Sequence, residues 1–222
     1  MPSSATVFLV DSDVATCNVV RDLASTMNLR CEVYASGDDF LAAYDTSRPG
    51  CVILGLRIPG AGGMQIQQFL NSDKNGHPVI FLTAHADLSI AVEAMRAGAV
   101  NFLLKPVHSG ELWNSIEEAI ALDGKRRRAR AWHQKLADRL RSLTPKEREV
   151  LCMIGQGKGT REIASSLEVS LRSVQKHRAG VARKLGASSL WELVDVGLHA
   201  AQDGGQNGDP GPWPGPNGRR LV

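Results

Sequence analysis

Two sets of residues in this 222-residue chain have the types and spacing to do chemistry. The first is spread through the front half: Asp11, Ser12, Asp13, Thr83 and Lys105, each at or just past the end of a short apolar run. An acidic residue, a hydroxyl and a lysine brought to neighbouring strand ends form a site for phosphate chemistry. The second is compressed into LRSVQKHRAGVARKL (Leu171–Leu185). At helical spacing, Arg172, Gln175, Lys176, Arg178, Arg183 and Lys184 face one way, and Val174, Val181 and Leu185 face the other. Donors outward and apolar anchors inward are what a helix entering an acidic groove needs.

The elements that would position these residues alternate in the front half. Apolar runs at 6–11, 31–34, 51–54, 79–82 and 102–104 read as strands. Helical patterns at 14–27, 39–44, 64–70 and 89–97 lie between them, and a long helix starts near Glu111. Such alternation predicts an α/β fold with a parallel sheet covered on both faces. In that architecture ligands meet the carboxyl ends of the strands, where Asp11, Ser12, Asp13, Gly55, Thr83, Ala84 and Lys105 fall. Asp13 is placed to cap the first helix.

Charge divides the chain. Residues 1–124 hold 7 Lys+Arg against 14 Asp+Glu, and residues 125–200 hold 17 against 7. The formal net charge of +3 therefore conceals an acidic front half and a basic back half, the latter suited to nucleic acid. The four cysteines, Cys17, Cys31, Cys51 and Cys152, form no C-x-x-C pair, which argues against a zinc or redox module. Unpaired cysteines without a signal peptide fit a cytoplasmic protein. No apolar run is long enough to span a membrane. A P-loop, a G-x-G-x-x-G fingerprint and a G-x-S-x-G elbow are all missing, and no His sits beside a nucleophile, so an enzyme is not expected.

The back half is helical. Thr144, Pro145 and Glu147 make a capped helix start, Gly155 and Gly157 end that helix, and Thr160 is read as the cap of the next. Ser170 caps the basic helix, and a last helix is expected at 190–199. Two short helices joined by a tight turn read as a helix-turn-helix. Before them, KRRRAR at 125–130 is open to two readings, a solvated helix face or a contact to DNA phosphates. Gly124 is the one weak point in that helix. The tail, rich in Gly, Pro and Asn, should be disordered.

The front half resembles a response-regulator receiver domain. The pieces that carry this are LVDSD (9–13), VILGLRIPGAGG (52–63), FLTAH (81–85) and AVEAMRAGAVNFLLKP (91–106). The resemblance implies a flavodoxin-like, doubly wound five-stranded sheet. It also implies an acidic pair that holds Mg²⁺, an aspartate that accepts a phosphoryl group from a sensor kinase, and a relay matched by Thr83, Phe102, Lys105 and Pro106. Here the phosphoacceptor position is Gly55, and the acidic pair is reduced to Asp11 followed by Ser12. Two of three carboxylates are gone, so Mg²⁺ binding is expected to be weak or absent and no other cofactor is expected. Lys105 is left to neutralise Asp11.

Residues 143–198 resemble the LuxR-type helix-turn-helix of NarL/FixJ response regulators, closest to the FixJ branch. Leu143, Thr144, Glu147, Val150, Leu151, Ile163, Ala164, Val174, His177, Lys184 and Leu185 are among the matches. By that resemblance Gln175, Lys176 and Ala179 face bases, and Arg172, His177, Arg178 and Lys184 lie nearer phosphates or packing. Ser173 stands where a Thr is usual. Gly180, inside the recognition helix, should cost about 1 kcal/mol against Ala.

The sequence thus predicts a receiver-like domain (1–122), a helical linker (123–142), an all-α DNA-binding domain (143–200) and a tail (201–222). Double-stranded DNA is the expected partner, bound by a homodimer paired through the face around 89–107. A phosphorylation switch with another acceptor, or an adaptor forming mixed dimers without binding DNA, are the alternatives.

Overall fold

The apolar runs form five parallel strands, β1 (Thr6–Val10), β2 (Arg30–Tyr34), β3 (Gly50–Leu54), β4 (Val79–Thr83) and β5 (Asn101–Leu104). Their order in the sheet is β2-β1-β3-β4-β5. Every residue of β1, β3 and β4 is buried. The cause is cover on both faces. On one face, Val7, Leu9, Ile53 and Leu82 pack against Val20 of α1 (Val14–Thr26) and Leu112 and Ile116 of α5 (Ser109–Arg141). On the other, Phe8, Val10, Leu54 and Phe81 meet Phe40 of α2 (Gly37–Ala43), Ile66 of α3 (Gly63–Ser72) and Ala94 of α4 (Leu88–Arg96). Two apolar faces per strand explain why these segments read as continuous apolar runs rather than alternating ones.

This is the computed structural model of the chain. It describes residues 5–84 and 88–187. Contacts divide the chain into two units, Met1–Arg128 and Ala129–Val222. Helix α5 runs unbroken through Gly124, the position at which the sequence allowed a hinge. The helix expected at 190–199, the tail and His85 lie outside the described residues.

The second unit contains α6 (Pro145–Gly155), α7 (Thr160–Ser166) and α8 (Leu171–Leu185). Val150, Leu151 and Ile154 of α6, Ile163 of α7, and Val174, Val181 and Leu185 of α8 form its core. Thr144 caps α6 and Ser170 caps α8, as their residue types require. The expected cap of α7 is corrected. Gly159 holds that position, because the Glu162 carboxylate accepts from the Gly159 N–H at 2.6 Å. Thr160 becomes the first helical residue, and its hydroxyl is used elsewhere. Helix α8 stops at Gly186, which takes the left-handed conformation (φ 67°) that favours glycine.

One buried polar cluster had no counterpart in the sequence reading. Asp123 of α5 is 1% exposed, and its Oδ2 accepts from Arg127 Nε at 2.6 Å and from the Gly50 N–H at 3.0 Å. The Arg127 guanidinium also donates to the carbonyls of Thr46, Ser47 and Arg48. His77 closes the cluster, with Nε2 2.7 Å from the Arg48 carbonyl and Nδ1 2.9 Å from the Tyr44 hydroxyl. An i,i+4 Asp–Arg pair on a helix was the signal that could have found it.

Candidate functional sites: the strand-end pocket and the nucleic-acid interface

Strands β1 and β3 leave the sheet side by side where the strand order reverses, the position at which such folds place their sites. Asp11 follows β1 and is 5% exposed. Its Oδ2 accepts from Lys105 Nζ at 2.6 Å and its Oδ1 from the Asp13 N–H at 2.9 Å. Lys105 is fixed in turn by its own N–H, which donates to the Thr83 carbonyl at 2.8 Å. A carboxylate nearly out of water needs a partner charge, and the ammonium supplies it. Lys105 Nζ also lies 3.6 Å from Asp13 Oδ2.

The remaining pocket residues have separate places. Gly55 follows β3, and its N–H donates to the Val10 carbonyl at 2.9 Å. A β-carbon on Gly55 would stand 2.8 Å from Ile58 Cγ2 and 3.2 Å from Asp11 Oδ2. Ser12 is exposed. Asp13 caps α1, and hydrogen bonds from the Thr16 hydroxyl and the Ala15 N–H hold its carboxyl below the usual range. Thr83 is buried at the end of β4. Phe102 is half-buried, its ring 5.7 Å from that of Phe81. The structure thus gathers Asp11, Asp13, Gly55 and Lys105, with Thr83 beside them through the backbone, and leaves Ser12 in solvent.

The Cys31 and Cys51 thiols are not poised for reaction. Burial pushes Cys31 up to about 11 and Cys51 up to about 12. Among the described residues no group of three or more His, Cys, Asp or Glu side chains could hold a metal ion.

In the second unit, α8 presents a stripe of exposed residues, Arg172, Gln175, Lys176, Ala179 and Arg183. Their spacing keeps them on one side of the helix while Val174, Val181 and Leu185 anchor the other. The Ser170 hydroxyl accepts from the Ser173 N–H and lies 2.9 Å from the Ser173 hydroxyl, which fixes the start of the helix. His177 is half-buried beside a recess lined by Thr144, Glu147, Lys176 and Arg183.

Two basic residues that the sequence set on the outward face turn into the fold instead. Arg178 Nη1 donates to the Thr160 hydroxyl at 2.9 Å, tying α8 to α7. Lys184 Nζ donates to Glu147 Oε2 at 2.6 Å and to the Ser142 carbonyl at 3.0 Å. The reason is Glu147, a residue 7% exposed whose carboxylate also accepts from the Thr144 N–H. Gly180 makes room for it. A β-carbon there would stand 2.5 Å from Glu147 Oε1. The glycine that looked costly inside a recognition helix is the space in which this carboxylate sits.

Comparison with known proteins agrees with both halves. Residues 7–117 match the response regulator receiver domain, and residues 141–196 match the bacterial regulatory proteins of the luxR family. The tetrathionate response regulatory protein TtrR of Salmonella typhimurium is 35% identical over 86% of this chain and 90% of its own. The transcriptional regulatory protein FixJ of Bradyrhizobium diazoefficiens is 31% identical over 90% of this chain and 98% of its own. Among solved structures, response regulator StyR superimposes with a TM-score of 0.80 at 33% identity, covering 90% of this chain and 99% of that one. Among the described residues no helix is long and apolar enough to cross a membrane. A doubly wound sheet followed by a capped helix-turn-helix, with relatives matched along nearly their whole length, places this chain among the DNA-binding response regulators that join a receiver domain to a LuxR-type domain.

Proposed function

We propose that this protein is a sequence-specific transcription regulator whose receiver works without aspartyl phosphorylation. The observation that carries the reading is residue 55. The resemblance to receivers puts the phosphoacceptor there, and glycine has no side chain to phosphorylate. The neighbouring charges support it. Asp11 is already neutralised by Lys105 at 2.6 Å, and Asp13 is committed to capping α1.

The donor set does not fit a divalent cation. Mg²⁺ takes oxygen ligands in near-octahedral geometry, and one lysine-bonded carboxylate beside a glycine cannot supply them. Ser12 has a hydroxyl in solvent, but no base within the strand-end cluster is placed to activate it. No catalytic residues are assigned, and the pocket serves as structure.

The DNA-binding residues are Arg172, Gln175, Lys176, Ala179 and Arg183 on the exposed stripe, with Ser173 and His177 at its margin. Arg178 and Lys184 hold α8 in place for them. A homodimer would match two half-sites, and the exposed Leu88, Val92, Met95 and Leu104 of α4 and β5 give it an apolar face. The input is then concentration, a ligand or a partner protein rather than a phosphoryl group. The adaptor reading rested on Gly180, which lies against the Glu147 carboxylate and has a packing role of its own.

Intact-protein mass after incubation with acetyl phosphate and Mg²⁺ tests this. No gain is expected, with an aspartate-bearing receiver labelled in parallel. A gain of one phosphoryl group overturns the reading.

A further inference from the structure

Most of the positive charge of the back half lies ahead of the helix-turn-helix. Residues 143–200 hold 9 Lys+Arg against 6 Asp+Glu, a net of +3, whereas residues 125–142 hold 8 against 1, a net of +7. Most of the basic character therefore lies on the second half of α5, ahead of the first helix of the DNA-binding unit.

The structure separates these cations by what they do. Arg127 turns inward to Asp123 and the carbonyls of residues 46–48. Arg139 donates to the Leu185 carbonyl, and Arg141 pairs with Asp138. Lys125, Arg126, Arg128 and Lys135 remain exposed, and among the described residues none of them makes an ion pair.

A solvated helix gains from acidic residues three or four positions away and loses from like charges there. This stretch does the reverse. Lys125 and Arg128 are three apart, Arg126 and Arg130 are four apart, and between residues 124 and 137 there is no acid at all. Such a surface repels itself until a polyanion neutralises it.

We propose that Lys125, Arg126, Arg128 and Lys135 form a second DNA contact surface on α5, directed at backbone phosphates and blind to sequence. The proposal rests on the reading of the chain as DNA-binding and adds a partner surface that the helix-turn-helix does not include. Base readout stays with α8, while the linker contributes counterion release and hence affinity to any duplex.

The test uses the full chain and its variant K125Q/R126Q/R128Q/K135Q, glutamine being a good helix former. Binding to a fluorescent random-sequence duplex is titrated between about 50 and 200 mM KCl. The slope of log K against log salt should become shallower by about 3 to 4, with affinity at the middle of that range falling about tenfold or more. The preference for a duplex selected by the wild type should stay constant. The Arg126→Lys, Arg128→Lys variant should keep the wild-type slope, since a phosphate contact needs only the charge.

Parallel salt lines and equal affinities for wild type and glutamine variant overturn the proposal. So does an unchanged slope accompanied by loss of a dimer in sedimentation, which gives the face to a second, acidic copy of the chain. The parent reading fails differently: a wild type that binds no duplex even at the lowest salt removes DNA binding itself. Lys176→Ala separates the two surfaces, because it should lower the preference for the selected duplex far more than the quadruple variant does.

Discussion

Lys184 and Glu147 meet 37 residues apart in the chain, with Nζ 2.6 Å from Oε2. That single contact joins the last turn of α8 to the first turn of α6. The same carboxylate oxygen accepts from the Thr144 N–H, so the capping of one helix and the placement of the other share an atom.

Acid should loosen this joint. The Lys184 ammonium, followed by the Thr144 N–H, holds the Glu147 carboxyl at about 2, below its ordinary 4.5. A depressed carboxyl contributes stability that is fully present above its unfolded value and lost as pH falls through its folded one. The second unit is therefore expected to weaken between about 4.5 and about 2, a window set by those two values. Glu147→Gln should lack this acid limb and be less stable at neutral pH by about 1.5 to 3 kcal/mol. Hydrogen exchange of α8 peptides in the full chain, corrected for intrinsic rates, reads both. An acid limb that persists in the glutamine variant would assign the effect to another group.

Gly180 and Glu147 should be energetically coupled. On its own, a helical glycine replaced by alanine gains about 1 kcal/mol. Here the new β-carbon would stand 2.5 Å from Glu147 Oε1, so the carboxylate must shift off Lys184 or Thr144. Gly180→Ala is expected to yield less than that gain in the wild type and the full gain in a Glu147→Ala background. A double-mutant cycle of urea stabilities should give an interaction of about 0.5 to 2 kcal/mol. Strict additivity would mean that the carboxylate swings aside without cost.

The strand-end pair predicts an asymmetry. Lys105→Met strands the Asp11 carboxylate at 5% exposure. Loss of one partner from a buried pair costs about 3 to 5 kcal/mol, whereas replacing both is far milder. Unfolding of the receiver unit in urea should show a large loss for Lys105→Met and recovery of most of it when Asp11→Asn is added. Equal stabilities of the single and double variants would show that Asp11 does not depend on Lys105.

Arg127 should resist conservative replacement. It serves one carboxylate and three carbonyls through a planar fork that lysine lacks. Arg127→Lys is expected to lose nearly as much as Arg127→Ala, about 3 kcal/mol, because Asp123 stays buried with only the Gly50 N–H for company. Local opening of the loop at 46–48, read by hydrogen exchange, should rise in both variants. A lysine variant that protects that loop as arginine does would reduce the role to charge alone.

What could be read from the residues depended on how locally each feature is encoded. Strands β1, β3 and β4 were legible because both their faces are buried and no charged residue interrupts them. Thr144-Pro145 and Ser170 were legible because capping is decided within three residues. The Lys105–Asp11 pair was foreseen from the resemblance, since two matched positions at strand ends left one charge for the other. For Arg178 and Lys184 the sequence left phosphate contact and packing both open, because periodicity assigns a helix face but not the carboxylate or hydroxyl a neighbouring helix offers to it; the Glu147 carboxylate beside Gly180 was hidden for the same reason. The Asp123–Arg127 cluster was hidden for a similar reason. Most of its other partners are backbone groups, which leave no mark in a sequence, and His77 stands 50 residues from Arg127 along the chain.

The end of β3 is filled rather than hollow. Any β-carbon at residue 55 meets Ile58 Cγ2 at 2.8 Å, and Asp11 Oδ2 lies 3.2 Å away with Lys105 already attached. A side chain placed at residue 55 would have to turn the Ile58 methyl aside, and a carboxylate there would have to share Lys105 with Asp11. A change at this one position is therefore a change in the places of three side chains.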